Sequence, residues 1–313
     1  MTDVRGARVL VTGASGFIGS HLTRRLARDG AQVLAMTSSP SVPERLADVV
    51  GDIELVEANV NDVSSLQRLV ERVRPELVVH LAAFTHVGRS FERVDENIQT
   101  NIQGTVNLLE VLDGNFARFV YIGTGDIYGD APVPFHEDGP VRPLSPYAVS
   151  KYAAERYCRM FTRAYGWPIV CLRPFNAYGP HQSGDRIIPE LILAGLRGES
   201  LKMTEGHQTR EFTYVEDEID AFVRALVVPG IEGQVMNVGR GEEVSMRDIA
   251  LTVLGLLDNP AEPQFGALPG RPNEVARMVG DSSRARELLG WEPAHSLTDG
   301  LEKTIAWYRE RAG

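Results

Sequence analysis

The feature that most constrains the fold is a glycine-rich turn close to the start of the chain. A short apolar run at 7–12 ends in a turn with glycines at positions 13, 16 and 19, and apolar residues follow at helical spacing, at Leu22 and Leu26. Such glycines let a backbone turn tightly, approach a pyrophosphate closely and pack a helix against a strand. The pyrophosphate then lies on free N–H groups at the helix N-terminus. The pattern predicts a dinucleotide-binding site.

The first half of the chain alternates between strand and helix signals. The candidate strands are 7–12, 31–36, 52–57, 77–82, 117–122 and 168–172, and the candidate helices are 17–29, 62–73, 95–112 and 147–165. This alternation is typical of βαβ units, in which helices cover both faces of a parallel sheet. We therefore predict an α/β fold with a doubly wound parallel sheet, the Rossmann arrangement.

The second half is less regular and predicts a smaller lobe. Helix signals occur near 187–197, 245–257 and 297–310, and a short strand signal occurs near 235–238. We predict a dinucleotide-binding Rossmann domain at 1–172 and, at 173–313, mainly a C-terminal α/β substrate-binding lobe that returns in part to the core. Ligands of open α/β sheets bind at the carboxyl ends of the strands, which this lobe would cover.

Composition excludes several classes of function. The formal net charge of −10 disfavours a nucleic-acid partner. No apolar stretch approaches membrane-spanning length, and no signal-peptide pattern precedes the first strand. Cys158 and Cys171 lie in apolar patterns that suit buried thiols in a reducing compartment, so we expect a cytoplasmic protein. The histidines lack the spacing of metal ligands, and we expect no metal site.

A tyrosine and a lysine four residues apart indicate acid/base chemistry. Tyr147 and Lys151 lie on one face of a candidate helix. An ammonium group beside a phenol lowers the pKa of the phenol, which makes Tyr147 a usable acid/base. Thr124 directly follows an apolar strand, so we expect its hydroxyl at the carboxyl edge of the sheet beside Tyr147.

Several further motifs follow in order along the chain. They are TGASGFIG at 12–19, HLAA at 80–83, SPYAVSK at 145–151, RPFNAYGP at 173–180, REFTYVED at 210–217 and RPN at 271–273. With these motifs the chain resembles the extended short-chain dehydrogenase/reductase family, in its nucleotide-sugar 4,6-dehydratase/epimerase branch. The resemblance implies a nucleotide-diphosphate sugar as substrate and a tightly bound nicotinamide cofactor. It also implies a catalytic triad of Thr124, Tyr147 and Lys151.

The cofactor residues follow from the same alignment of motifs. The resemblance places the cofactor against Gly13, Ser15, Gly16, Phe17, Ile18, Thr37, Ser38, Ser39, Asn59, Val60, Leu81, Ala82, Ala83, Tyr147, Lys151 and Pro174. An acidic residue at the end of the second strand would bind the adenosine ribose hydroxyls and disfavour a 2′-phosphate. The chain has hydroxyl residues there and no adjacent arginine, since Arg45 is the nearest downstream. Either NAD or NADP fits, and NADP is slightly favoured.

Asp126 bears on the reaction type. In the resembling enzymes, 4,6-dehydratases carry Glu at this position and sugar epimerases usually carry a small residue. After Tyr147 takes the proton of the C4 hydroxyl during oxidation of C4, Asp126 could remove the C5 proton, and water would leave from C6. Glucose dehydratases have an Asp at the position of Gly125. Either Asp126 performs both proton transfers here, or elimination is not the reaction. A turn-capping role for Asp126 is the alternative.

Other segments predict where the sugar nucleotide binds. The segment 82–91 resembles the corresponding segment of 4,6-dehydratases. For His86 of this segment, a buried structural imidazole is favoured over a catalytic role. Arginine suits bidentate contacts with phosphate, and Asn176 aligns with a backbone-anchoring amide. The complete set of expected substrate residues is Val87, Ser90, Thr124, Asp126, Asn176, Arg186, Ile188, Arg210 and Arg271.

These observations together predict an NDP-hexose dehydratase of the 4,6 type, a lyase that recycles its cofactor within each turnover. The alternatives are an NDP-sugar 4-epimerase, an NDP-4-ketohexose reductase, and a dehydratase that releases a 5,6-ene. A non-catalytic scaffold is disfavoured because Thr124, Tyr147 and Lys151 are all present. In this family the helices at 95–112 and 147–165 pair two subunits, so the resemblance implies a homodimer. A purely intramolecular packing of these helices stays open.

Overall fold

A computed structural model describes residues 3–39, 41–257, 262–270 and 274–312. The strands are β1 (Arg8–Thr12), β2 (Gln32–Thr37), β3 (Glu54–Glu57), β4 (Leu77–His80), β5 (Arg118–Ile122), β6 (Ile169–Pro174), β7 (Asn176–Tyr178), β8 (Thr209–Tyr214), β9 (Val235–Val238) and β10 (Glu243–Ser245). The α-helices are α1 (Phe17–Arg28), α2 (Val63–Val73), α3 (Val87–Ser90), α4 (Val94–Asn97), α5 (Gly104–Leu112), α6 (Pro146–Tyr165), α7 (Ile187–Leu196), α8 (Val215–Val227), α9 (Met246–Leu256), α10 (Ser283–Leu289) and α11 (Leu297–Ala312).

Seven strands form one parallel sheet in the order β3-β2-β1-β4-β5-β6-β9. Every neighbouring pair in this sheet is parallel. β4, β5 and β6 are buried along their whole length, because helices cover both faces of the sheet. The predicted α/β class and doubly wound parallel sheet are confirmed. The strand order reverses between β1 and β4, which is where such sheets bind their ligands.

Local sequence explains how the helices that carry the site begin. Asp62 precedes α2 and accepts hydrogen bonds from the backbone N–H groups of Ser64 and Ser65. Ser145 precedes α6 and accepts from the N–H of Ala148, and Pro146 occupies the first helical position. The predicted helix at 95–112 is composite. A π-helical segment, Ile98–Gln103, separates α4 from α5, and such segments often mark functional positions.

The second half contributes to both sheets. β9 pairs with β6 in the main sheet, while β7, β8 and β10 form a separate three-stranded sheet in the order β10-β8-β7. The predicted domain boundary after residue 172 falls inside β6. The sequence analysis missed α8, which packs against α1 and against β4, β5 and β6. Its signal was available, because Val215, Ile219 and Phe222 recur at helical spacing and are buried.

No helix within the described ranges is long and apolar enough to span a membrane.

Glu218 is a destabilising carboxyl in the first turn of α8. Its side chain is buried, and neither carboxyl oxygen has a hydrogen-bond partner among the described residues. Burial raises the pKa of Glu218 well above its ordinary value of 4.5, and the charges of Glu211 and Asp217 raise it further. The folded state therefore keeps a proton that the unfolded chain releases above its own pKa. Below the unfolded pKa of Glu218 this group costs no stability through its ionisation. As the pH rises from the unfolded pKa through the folded pKa, the free energy of unfolding falls.

We expect Glu218→Met to raise the free energy of unfolding at pH 7 by about 1–3 kcal/mol, because it removes an unpartnered buried polar group. Urea unfolding at pH 5 and pH 8 should show a larger gain at pH 8. The exposed Glu216 on the same helix provides the control, since Glu216→Met should change stability by no more than about 0.5 kcal/mol. A loss of stability in Glu218→Met at both pH values would contradict the assignment.

Candidate active site

The glycine-rich turn lies between β1 and α1 at the point where the strand order reverses. Gly13 has a φ of +68°, and a Cβ there would lie 2.8 Å from the Ala82 nitrogen. A Cβ on Gly19 would lie 2.1 Å from the Gly13 carbonyl oxygen. Gly16 precedes α1, and within the described ranges no side chain caps this helix end. α1 begins with Phe17 and Ile18, and Ser15 lies just before it. The first N–H groups of this helix are thus available to an anion, so the turn fits a dinucleotide pyrophosphate.

The predicted adenosine contacts lie at the carboxyl ends of β2 and β3. Thr37 is buried and donates its hydroxyl hydrogen to the Ser39 carbonyl at 2.7 Å, whereas Ser38 and Ser39 are exposed. The Nε of Arg45 donates to the His181 carbonyl at 2.9 Å. Arg45 is therefore directed toward the segment after β7 rather than toward the Ser/Thr turn.

The remaining cofactor positions lie at the ends of β3, β4 and β6. Asn59 accepts from the backbone N–H of Asn61 at 2.9 Å, and the buried Val60 follows it. Leu81 and Ala82 donate their backbone N–H groups to the Thr12 hydroxyl, each at 3.1 Å. Ala83 follows them, and Pro174 ends β6. The structure thus places the predicted cofactor residues along one edge of the sheet.

Thr124, Asp126 and Tyr147 come together at that edge. The Thr124 hydroxyl accepts the N–H of Asp126 at 3.2 Å and donates to the Asp126 carboxylate at 2.9 Å. Thr124 therefore caps the 3-10 turn Gly125–Tyr128, so the alternative in which Asp126 serves as the turn cap is wrong. The Tyr147 phenol is close enough to Thr124 and Asp126 for both to influence its pKa. The Thr124 hydroxyl thus binds the carboxyl that lies beside the phenol.

Two arginines influence this cluster electrostatically. Burial raises the pKa of Asp126 above its ordinary value, while the hydrogen bond from Thr124 and the charges of Arg210 and Arg186 oppose the shift. A carboxylate whose pKa is raised is a stronger base than a solvated one. The structure therefore brings together two predicted substrate residues, Arg186 and Arg210, and the predicted catalytic carboxyl.

The environment of Tyr147 differs from the expectation. Burial and the charge of Asp126 raise the pKa of Tyr147 above its ordinary value of 10.0, and the opposing influences are Thr124 and Arg186. The Lys151 ammonium lies 4.5 Å from the centroid of the Tyr121 ring, where a cation–π contact holds it. Burial lowers the pKa of Lys151 to about 8. The expected lowering of the Tyr147 pKa by Lys151 is therefore not what the structure shows.

Most of the other predicted substrate residues lie around β7, β8 and the start of α7. Arg210 donates to the Val275 carbonyl at 2.7 Å, and the Asn176 amide donates to the Glu211 carbonyl at 3.0 Å, which anchors β7 to β8. Arg186 precedes α7, in which Ile188 is buried. Arg271 lies outside the described residues.

The segment after β4 departs from the prediction at His86. Ser90 is buried and donates its hydroxyl hydrogen to the Val87 carbonyl at 2.6 Å, and its oxygen can still accept a hydrogen bond. His86 is not a buried imidazole. Its side chain is 37% exposed, and its Nδ1 accepts the backbone N–H of Arg89 at 3.1 Å. Its Nε2 lies 3.9 Å from the Asp185 carboxylate, across the cleft.

An aromatic residue that was not predicted packs beside the turn Gly125–Tyr128. A Cβ on Gly125 would lie 2.5 Å from the Phe175 ring, and Cβ atoms on Gly239 and Gly280 would lie 3.1 and 2.3 Å from it. The Phe175 ring therefore occupies a slot that exists because these three residues are glycines. The signal available in the sequence was the apolar residue inside RPFN, next to a strand end.

A buried ion pair behind the turn was also missed. Arg173 donates to both oxygens of Glu155, at 2.6 and 2.8 Å, and to the Tyr128 hydroxyl at 2.7 Å. Glu155 lies on α6, the helix of Tyr147, and Tyr128 ends the turn that contains Asp126. The pair thus fixes the turn Gly125–Tyr128 relative to α6.

Comparison with known proteins agrees with this geometry. Residues 9–239 match the model of the NAD dependent epimerase/dehydratase family. The chain is 37% identical to a UDP-glucose 4-epimerase of Mycolicibacterium smegmatis, over 97% of the chain and 99% of that protein. A Thermotoga maritima UDP-glucose 4-epimerase with UDP-glucose superimposes with a TM-score of 0.92 at 30% identity, covering 98% of this chain and 100% of that one.

A dehydratase is similarly close. A Streptomyces venezuelae dTDP-glucose 4,6-dehydratase with NAD bound superimposes with a TM-score of 0.90 at 30% identity, covering 98% of each chain. The likeness in sequence and in structure extends over nearly the whole chain. The chain belongs to the NAD dependent epimerase/dehydratase family.

Proposed function

We propose that the protein is an NDP-hexose dehydratase of the 4,6 type. The observation that carries the proposal is the hydrogen bond from Thr124 to Asp126 beside the Tyr147 phenol, with the charges of Arg186 and Arg210 acting on Asp126. A ketone at C4 of a sugar acidifies the hydrogen at C5, and elimination from C6 then needs a carboxyl near that carbon. Asp126 provides such a carboxyl next to the phenol that handles the C4 hydroxyl.

Each residue has a definable role in this chemistry. A bound nicotinamide cofactor supplies reversible hydride transfer. Thr124 orients the C4 hydroxyl, and Tyr147 takes its proton. Asp126 removes the proton from C5 and delivers it to the C6 hydroxyl, which leaves as water. Because the proton taken from C5 is the one given to the leaving group, a single carboxyl balances the elimination. The 4,6 product then needs a hydride at C6 and a proton at C5, which match the hydride and the proton lost from C4. A released 5,6-ene would instead need both returned to C4.

The substrate and cofactor follow from charge and hydroxyl groups. Arg210 and Arg186 are the cations proposed for the diphosphate of the sugar nucleotide. The proposed cofactor is NAD, although the Ser/Thr turn in the sequence slightly favours NADP. Arg45 is bound to the His181 carbonyl rather than directed to that turn, and the related Streptomyces enzyme was solved with NAD.

The proposed assembly is a homodimer. Apolar side chains of the helical segment 94–103 and of α6 are exposed, among them Ile98 and Val149, and they line a groove of about 430 Å³. Exposed contiguous apolar surface of this kind is typical of subunit interfaces. We expect Ile98→Asp to shift the protein from dimer to monomer in sedimentation-velocity experiments, whereas a wild-type monomer would contradict the proposal.

One observation favours a second candidate, an NDP-sugar 4-epimerase. The Phe175 ring fills the space beside Gly125, so a separate proton donor has no room there. An epimerase needs no such donor, since the 4-ketosugar only has to rotate so that the hydride returns to the opposite face of C4. The relative from Mycolicibacterium smegmatis is a UDP-glucose 4-epimerase.

Asp126→Asn separates the two candidates. We expect it to slow elimination by about 10²–10⁴-fold, because an amide cannot carry the C5 proton. Epimerisation would fall far less, since it requires no proton transfer at C5. The measurement is loss of water from the NDP-hexose, followed by mass spectrometry. Asp130→Asn is the control, because Asp130 is an exposed carboxyl just after the same turn. Undiminished elimination by Asp126→Asn would exclude the proposed role.

A further inference from the structure

His80 ends β4 between the glycine-rich turn and α5, and the proposed chemistry does not use it. The side chain is 0% exposed, and both ring nitrogens have partners. Nδ1 lies 2.8 Å from the Thr12 hydroxyl, and Nε2 lies 2.9 Å from the Thr105 hydroxyl. A buried imidazole with two hydroxyl partners can hold its hydrogen on either nitrogen.

The neighbouring bonds determine which nitrogen carries the hydrogen. The Thr12 hydroxyl accepts the backbone N–H groups of Leu81 and Ala82, so its own hydrogen points to Nδ1. The Thr105 hydroxyl donates to the Asn101 carbonyl at 2.7 Å, so it accepts from Nε2. A neutral ring with its hydrogen on Nε2 satisfies both sides.

Burial keeps the ring in this state. Burial and, to a smaller extent, the charge of Lys151 lower the pKa of His80 to about 3. A doubly protonated ring would direct an N–H toward the hydroxyl hydrogen of Thr12. His80 therefore has a fixed donor direction at neutral pH.

The run of hydrogen bonds continues to the helix of Tyr147. The Asn101 amide accepts the backbone N–H of Phe84 at 2.7 Å and donates to the Ser150 hydroxyl at 2.8 Å. The Ser150 hydroxyl in turn donates to the Tyr147 carbonyl at 2.8 Å. Asn101 lies in the π-helical segment. One continuous set of bonds thus runs from the strand end that precedes the cofactor turn to the first turn of α6.

We propose that His80 is a positioning residue that links the proposed cofactor turn to the Tyr147 helix. This inference rests on the proposed function, because it takes the turn at 12–19 as the cofactor site and Tyr147 as the acid/base. The His80 ring accepts the Thr12 hydroxyl hydrogen at Nδ1 and donates its Nε2 hydrogen to Thr105, and these two bonds hold both side chains in place. Loss of either hydroxyl leaves a buried ring nitrogen unpartnered and releases the backbone that it holds.

Thr105 offers a matched pair of variants. Thr105→Val keeps the shape and removes the hydroxyl, whereas Thr105→Ser keeps the hydroxyl. We expect Thr105→Val to lower kcat for the NDP-hexose reaction by about 10–100-fold with little change in KM, because a small misplacement of the acid/base has effects of this size. Thr105→Ser should retain most of the activity.

Thr304→Val is the control for a purely structural loss. Thr304 is a buried residue of α11 whose hydroxyl donates to the Gly300 carbonyl at 2.6 Å. It should lower the melting temperature and leave kcat unchanged. The proposal fails if Thr105→Val behaves like Thr304→Val, or if Thr105→Ser loses as much kcat as Thr105→Val.

Two measurements do not depend on any substrate. NMR of protein labelled with ¹⁵N-histidine should show the His80 hydrogen on Nε2, with the signal assigned by its absence in His80→Gln. Titration with NAD should show weaker binding by Thr12→Val than by Thr12→Ser. A hydrogen on Nδ1, or equal NAD affinity of the two Thr12 variants, would overturn the linkage. If no NDP-hexose reacts but both results are as expected, the proposed function fails and the linkage stands.

Discussion

Tyr147→Phe is expected to lower turnover of the NDP-hexose by about 10²–10⁴-fold, the range typical of a lost general acid/base. The phenyl ring fills the same buried space but has no hydroxyl to receive the C4 proton. Binding of the substrate should change little, because Arg186 and Arg210, the residues proposed to bind its diphosphate, are unchanged. Steady-state kinetics with the NDP-hexose that the wild-type enzyme converts give kcat and KM.

The control lies on the same helix. Tyr157 is 43% exposed, and Tyr157→Phe should retain wild-type turnover. A Tyr147→Phe variant with more than about a tenth of wild-type kcat would mean that another group moves the C4 proton. The pair of variants thus separates loss of the phenol from a general effect on α6.

Glu155→Gln is expected to lower the free energy of unfolding by about 3–5 kcal/mol, because it leaves the buried Arg173 guanidinium without its counter-charge. Both side chains are 1% exposed, and the guanidinium contacts both carboxylate oxygens. The Tyr128 hydroxyl and the Glu137 carbonyl accept the other hydrogen bonds from Arg173. Neither can neutralise the charge. Urea unfolding monitored by tryptophan fluorescence measures the loss.

The same substitution in an exposed ion pair serves as the control. Arg197 and Glu199 lie 2.7 Å apart with side chains more than half exposed. Glu199→Gln should change stability by about 0–1 kcal/mol, as surface pairs generally do. Similar losses for Glu155→Gln and Glu199→Gln would show that the buried pair contributes no more than a surface contact.

Much of the fold could be predicted from the sequence because its signals are local. Most strands of the first half are short apolar runs, and Gly13 and Gly19 stand where a Cβ would collide with backbone. α8 was missed because β8 runs into it without a turn residue between Tyr214 and Val215. β7, β8 and β10 were missed because strands of three to six residues without strong alternation give little signal.

The candidate site was predictable in its residues but less so in its contacts. Thr124 and Asp126 directly follow β5, and Tyr147 lies in the first turn of α6, the next α-helix after β5, so all three lie at the carboxyl edge of the sheet. The position of Lys151 over the Tyr121 ring depends on a strand that is distant in sequence, so the spacing of Tyr147 and Lys151 could not show it. The Phe175 slot requires glycines from three separate segments. Such long-range packing is not encoded in any single motif.

In the proposed reaction one carboxyl eliminates water while the cofactor is recycled. The most direct test is to incubate the purified protein with a panel of NDP-hexoses, without added cofactor, and to measure the products by mass spectrometry. We predict that one nucleotide sugar loses a single water. A product of unchanged mass and altered retention would contradict the claim and identify an epimerase. Reaction only when a 4-ketosugar and NAD(P)H are supplied would contradict it as well and identify a reductase.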